Sequence, residues 1–217
     1  MKIKVLHLQT NNVEETKAFY NNILEIPTQI ISVNEVSFLI GETKLHFVKS
    51  DTNSQYHIAF DIPKNLIEQS YNWIKSRSKV LPVTENSELS NFALWNAKSF
   101  YFNDNNGNLL EFIARFDLEN TSKKTFDSSC ILYASEIGIV TEDVPKLVER
   151  LQNEYPLSIY PKQPAQENFT VLGDENGLLV IVNENRNWFP TDEKAKSFPM
   201  KILFEASGNK TYELEIE

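Results

Sequence analysis

The chain has 217 residues, with 21 basic and 30 acidic side chains and a formal charge of −9. At roughly 100–200 residues per domain this is one large or two small domains, and 41% hydrophobic with 12% aromatic residues supplies a packed core and excludes disorder. The acidic balance argues against nucleic acid and against an anionic membrane surface, both of which are bound through cationic side chains; no apolar run approaches the ~20 residues of a bilayer span.

Met1–Thr10 alternates like a strand rather than like the apolar core of a signal peptide. Val13–Leu24 has helical periodicity, with Asn12 as N-cap and Glu14 and Glu15 in the first turn. Pro27 ends it. Three strands are predicted next, Thr28–Val33, Glu35–Ile40 and Lys44–Lys49, with turns at Asn34 and Gly41. The same order then restarts: a strand over Tyr56–Ile62, a helix over Lys64–Ser76, and strands over Val80–Thr84, Ala93–Asn103 and Leu109–Phe116. Asp104 to Asn108 is turn chemistry, since Gly and Asn tolerate positive φ. Residues 117–130 are polar and aperiodic and read as a linker.

A third unit follows, with a strand over Ile131–Val140 and a helix over Val144–Asn153 capped by Asp143. Further strands are predicted over Leu157–Tyr160, Asn168–Leu172 and Leu178–Asn183. The turn from Asp174 to Gly177 echoes the one from Asp104 to Gly107. A last pair, Met200–Ala206 and Thr211–Ile216, is joined by a hairpin signal at Ser207-Gly208-Asn209-Lys210. The expected fold is therefore α+β: tandem βαβββ modules (1–50 and 54–116) curled into a mixed-sheet cup, a degenerate third βαβββ module, and a C-terminal hairpin within 131–217. A concave pocket between paired modules is a natural ligand site.

Three strings, in this order and spacing, make a resemblance specific: Thr10-Asn11-Asn12-Val13 through Leu24, Tyr56-His57-Ile58-Ala59-Phe60, and Tyr101 through Asn106-Gly107-Asn108 to Glu111-Phe112. Residues 1–116 resemble the vicinal oxygen chelate superfamily, which includes glyoxalase I, fosfomycin- and bleomycin-resistance proteins, extradiol dioxygenases and methylmalonyl-CoA epimerase. Residues 131–188 resemble a further, degenerate module more weakly. The resemblance implies βαβββ modules paired around a divalent metal, with ligands on the first and last strands of each module.

Histidine is scarce. His7, His46 and His57 all fall in predicted strands, and Glu111 in another. Imidazole and carboxylate donors together suit Fe²⁺, Zn²⁺ or Ni²⁺. By the resemblance, His57 and Glu111 match the first- and last-strand positions of module two, and His46 the last-strand position of module one. The first-strand position of module one falls on Val5; His7 lies two residues on, on the same face but roughly 6–7 Å along the strand, so either His7 is a ligand or Val5 marks a lost one. Glu111, between Leu110 and Phe112, needs a partner because an unpaired buried carboxylate is costly: a metal, or Arg115 four residues away on the same face. Trp95, Asn96, Ser99 and Tyr101 are candidate pocket walls. Module three carries no histidine and only Glu136 on its first strand, so a structural or dimer-forming role is expected of it, through its unpaired sheet face. Cys130, the single cysteine, excludes an internal disulfide, fits a reducing cytoplasm, and reads as a structural thiol.

Two functions compete. One is a metal-dependent lyase or ring-cleavage dioxygenase, in which His46, His57 and Glu111, with or without His7, hold the metal, Glu111 doubles as a proton-moving base, and a small molecule chelates through two neighbouring oxygens. The other is a metal-free binding protein for a cationic small molecule, stacked on Trp95, Tyr101 and Tyr56.

Overall fold

The computed structural model describes residues 1–208 and 210–217; Asn209, part of the expected hairpin signal, lies outside the described residues. Module one runs β1 (Lys2–Thr10), α1 (Val13–Asn22), β2 (Thr28–Ile31), β3 (Glu35–Ile40) and β4 (Thr43–Lys49). Module two runs β5 (His57–Asp61), α2 (Ile67–Lys75), β6 (Ser90–Phe92), β7 (Ala97–Asn103) and β8 (Leu109–Arg115). Module three has β9 (Tyr133–Thr141), α3 (Val144–Glu154), β10 (Phe169–Asp174) and β11 (Gly177–Asn183), and the chain closes with β12 (Met200–Ala206) and β13 (Lys210–Ile216). Two of the three helices start at side-chain caps: Asn12 Oδ1 accepts from the Glu15 amide at 3.1 Å, and Asp143 Oδ1 from the Lys146 amide at 3.0 Å, whereas α2 has no side-chain cap and starts at Ile67 rather than at the expected Lys64.

Each module repeats one wiring, its first and last strands lying side by side in parallel: β1 with β4, β5 with β8, and β9 with β11. The tandem curved mixed sheets of the expected fold are present, but the partners differ from the expected pairing of modules one and two. β5 pairs antiparallel with β9, joining modules two and three in a seven-stranded sheet, β10-β11-β9-β5-β8-β7-β6. β1 pairs antiparallel with β12, so the C-terminal hairpin stands where a partner module would, in the sheet β13-β12-β1-β4-β3-β2. The physical reason is apolar matching: β9 is buried along nearly its whole length and can sit only in a sheet interior. The sheet face of module three that suggested a homodimer is thus joined to module two within the chain.

Smaller departures follow from local chemistry. Residues 80–84 form only isolated bridges, Val80 to Phe102 and Thr84 to Ser87, and the edge strand of module two is β6 instead. Residues 93–95 are a 3₁₀ turn rather than the start of a strand, ended by Asn96 at φ +47°. Residues 157–160 keep one bridge, Ile159 to Leu172. The linker is not loose: Phe126 is buried against Trp73 and Phe112, and its amide donates to Gln69. Cys130 is a buried free thiol. One apolar core runs through both sheets and all three helices, including Leu6, Phe47, Phe60, Phe112, Ile137 and Leu151. No helix of the described residues is long and apolar enough to cross a membrane.

Candidate metal centre

Period-2 geometry decides what faces the cup of the seven-stranded sheet. Ala59, in the middle of β5, lies opposite Glu111 on β8 and opposite Glu136 on β9. Side chains directly opposite one another share a face, so both carboxylates project from the same row on either side of a small residue that leaves them room. His57, two residues before Ala59, projects from that face as well. The outcome is a cluster in which one donor atom from each of His57, Glu111 and Glu136 lies within 4.8 Å of the others. His57 Nε2 is 3.1 Å from Glu111 Oε2, and its Nδ1 is buried without a partner. His57 is 5% exposed and the two glutamates 3% each. Among the described residues no other three such side chains come as close together.

Beneath the cluster lies a buried ion network. Arg115 donates through Nε to Asp61 at 3.1 Å and through its terminal amine to Glu136. Tyr133 donates to the other Asp61 oxygen at 3.3 Å. Trp95 lies over the guanidinium, 5.6 Å away. Burial works against the Arg115 charge, but Glu136 and Asp61 outweigh it and hold its pKa up. Burial pushes the Asp61 carboxyl up to about 6 despite Arg115, and burial with the Glu111 charge pushes Glu136 up to about 7. Burial and Glu111 raise the Tyr101 phenol as well. Three buried carboxyls thus face one guanidinium; with all three ionised and His57 neutral the cluster would carry two excess negative charges, and the raised Asp61 and Glu136 relieve part of that by holding protons.

That excess is the fit test for a metal. Unpaired buried charge is strongly unfavourable, and a divalent cation would cancel it. The donor set, one imidazole and two carboxylates, is one that Fe²⁺, Zn²⁺ and Ni²⁺ accept, and the second carboxylate extends the set toward Mn²⁺.

The other expected ligands lie elsewhere. His46 on β4 and His7 on β1 are cross-strand neighbours in the six-stranded sheet, with their Nδ1 atoms 3.0 Å apart and His46 Nε2 2.9 Å from Glu35. In that sheet β4, β1 and β12 correspond to β8, β5 and β9. The row Glu111–Ala59–Glu136 has as its counterpart His46–His7–Lys201, and the position of His57 falls on Val5. This corrects the expectation that His7 and His46 join His57 and Glu111 around one ion. The physical reason is chemical as well as topological: Lys201, held by Glu213 at 3.1 Å and Glu215 at 2.6 Å, puts a cation where the other sheet has Glu136. Burial, then His46 and Lys201, pull the His7 pKa down.

Arg115 pairs with Asp61 and Glu136, not with Glu111 as the sequence alternative has it. Trp95 and Tyr101 line the cavity over the cluster. Asn96 does not: its amide donates outward to Asp117 at 2.6 Å. The sequence alone gives Glu136 no ligand role, although its place between Ser135 and Ile137 in an apolar strand carries the same signal as Glu111. The cavity measures about 370 Å³, and Phe92, Phe169, Trp188 and Phe189 complete its aromatic wall. Trp188 stacks on His57 with centroids 5.2 Å apart, a contact that Gly138 permits: a Cβ there would lie 2.4 Å from the indole. No sequence signal joins Trp188 to this site, because a loop carries no periodicity.

No protein-family model and no curated protein matches this sequence. Solved structures do match the fold. A putative dioxygenase from Bacillus subtilis superposes with a TM-score of 0.61 at 14% identity, over 99% of this chain and 84% of that one. A glyoxalase I variant from Zea mays superposes with a TM-score of 0.55 at 12% identity, over 88% of this chain and 69% of that one. The chain has the vicinal oxygen chelate fold of glyoxalases and dioxygenases, built here from three modules and a hairpin, with a buried His/Glu/Glu group able to hold a divalent metal.

Proposed function

We propose that the chain is a divalent-metal-dependent enzyme, of lyase or ring-cleavage dioxygenase type, acting on a small molecule that presents two neighbouring oxygens. The observation that carries this reading is the convergence of three buried donors, from His57, Glu111 and Glu136, within 4.8 Å of one another at the floor of an aromatic cavity. A bound divalent ion supplies Lewis acidity and open coordination positions to adjacent oxygens. The chain's own residues do the rest. His57, Glu111 and Glu136 would hold the ion. Arg115 orients Glu136 through a charge-assisted bond and is in turn held by Asp61. Trp188 and Trp95 keep water off the charged floor. Glu111, within reach of His57 and opposite Tyr101, is placed to accept or return a proton at Oε.

The competing reading, a metal-free protein that sequesters a cation, leaves the excess charge without a permanent partner. Elemental mass spectrometry of the purified protein separates the two. The expected outcome is near-stoichiometric Fe, Zn, Ni or Mn in the wild type, lost in His57→Ala, Glu111→Ala and Glu136→Ala and kept in His46→Ala. No uptake after incubation with each of these ions would reject the enzyme reading.

A further inference from the structure

One side chain on the cavity wall does not suit an aromatic lining. Arg186, in the segment after β11, lines the cavity with its guanidinium stacked over Phe169, 4.5 Å from the ring centroid. It is half-buried. The chain has 30 acidic side chains, yet among the described residues none lies within ion-pair distance of Arg186, whereas Arg77 and Arg115 each hold a carboxylate. A partly desolvated cation without a counter-ion is unfavourable in a protein this acidic. Its planar fork of donors matches a carboxylate bidentately. The neighbouring wall adds the amides of Gln163 and Gln166.

Building on the metal reading above, we infer that the substrate is a flat organic acid: two adjacent oxygens meet the His57, Glu111 and Glu136 floor, an aromatic or otherwise planar body lies among Trp95, Trp188 and Phe169, and a carboxylate pairs with Arg186. A cavity of about 370 Å³ lies in the lower part of the range used by small-molecule sites and suits a compact ligand. The anion also answers the charge pattern, since a cationic ligand would meet Arg186 at the same wall.

Titration calorimetry of metal-loaded protein with 3,4-dihydroxybenzoate and with catechol tests this. The wild type is expected to bind the acid about tenfold or more tightly than catechol. Arg186→Gln brings the two affinities within about twofold without changing that of catechol, and Arg186→Lys keeps much of the preference. Equal affinities in the wild type, or a preference that survives in Arg186→Gln, would overturn the inference. Metal-free wild type, probed by ligand-observed NMR with benzoate against benzyl alcohol, keeps the two readings apart. If the metal reading fails, the preference for benzoate remains and still vanishes in Arg186→Gln. If benzoate shows no preference there, the Arg186 assignment fails on its own. Circular dichroism of both variants confirms that the fold is unchanged.

Discussion

Gly138 shows how much a single side chain decides in the candidate centre. It follows Glu136 by two residues on the cup face of β9, and a Cβ there would lie 2.4 Å from the far edge of the Trp188 indole and 3.1 Å from the His57 Cβ. The obstructing atom belongs to a loop side chain that can move, so Gly138→Ala is expected to change stability by no more than about 1 kcal/mol while lifting Trp188 off His57. Acrylamide quenching of tryptophan fluorescence should increase, and the increase should be absent when Trp188 is phenylalanine in both proteins. Unchanged quenching would mean that the stacking does not depend on that missing Cβ. Gly41 is the opposite case: at φ +54°, with a Cβ that would fall 1.8 Å from the Leu132 carbonyl oxygen, it has a backbone neighbour that cannot yield. There the turn between β3 and β4 touches the entry to β9, and the Glu42 amide donates to that same carbonyl at 2.9 Å.

At the scale of elements, each helix is set by one buried face, and α1 and α3 also by a side-chain cap. Asn12 satisfies the Glu15 amide, and α1 buries Val13, Thr16 and Tyr20. Asn12→Ala should cost about 1 kcal/mol, read as a lower urea midpoint with an unchanged slope. A change in slope instead would point to a wider loss of structure. The strands obey a different logic. β5 and β8 are buried on both faces, so their sequences name them as interior strands but not their neighbours. Polar side chains on such strands can be accommodated only in company. Asp61, Glu111, Arg115 and Glu136 share the cup face for this reason, and each is intelligible only with the others present.

For the whole molecule, the buried carboxylates outside the proposed ligand set give a pH dependence with a definite sign. Burial raises Asp61 to about 6, and it raises Asp104, which accepts from Asn106, Asn108 and Tyr20, to about 6 also. Unfolded Asp titrates near 3.9. Between about pH 4 and pH 6 the native state therefore binds more protons than the unfolded one, so the stability linked to these groups is fully present below about pH 4 and is lost as pH rises through about 6. Exposed Glu88, Asp117 and Asp127 shift downward and act in the opposite direction at lower pH, where solvent screens them, and half-buried His7, also shifted downward, opposes the two aspartates within the window as one group against two. The urea midpoint of the metal-free protein should fall between pH 4.5 and 7. A midpoint that rises across that window would show that these carboxyls are not held in their raised, buried state.

The sequence by itself determined the order of the helices and of most of the strands, both side-chain caps, and the presence of His57 and Glu111 on strands. These follow from periodicity, turn chemistry and capping, all of which act within a few residues. Only the tertiary structure decided which module faces which, because strand pairing across a hundred residues depends on matching buried surfaces, and several apolar strands offer equivalent ones. That choice moved the candidate centre from modules one and two to modules two and three. It exchanged His7 and His46 for Glu136, since a ligand set belongs to the face shared by adjacent strands and not to any strand alone. It also brought Arg186 and Trp188 over the floor, from a segment whose sequence has no period to read.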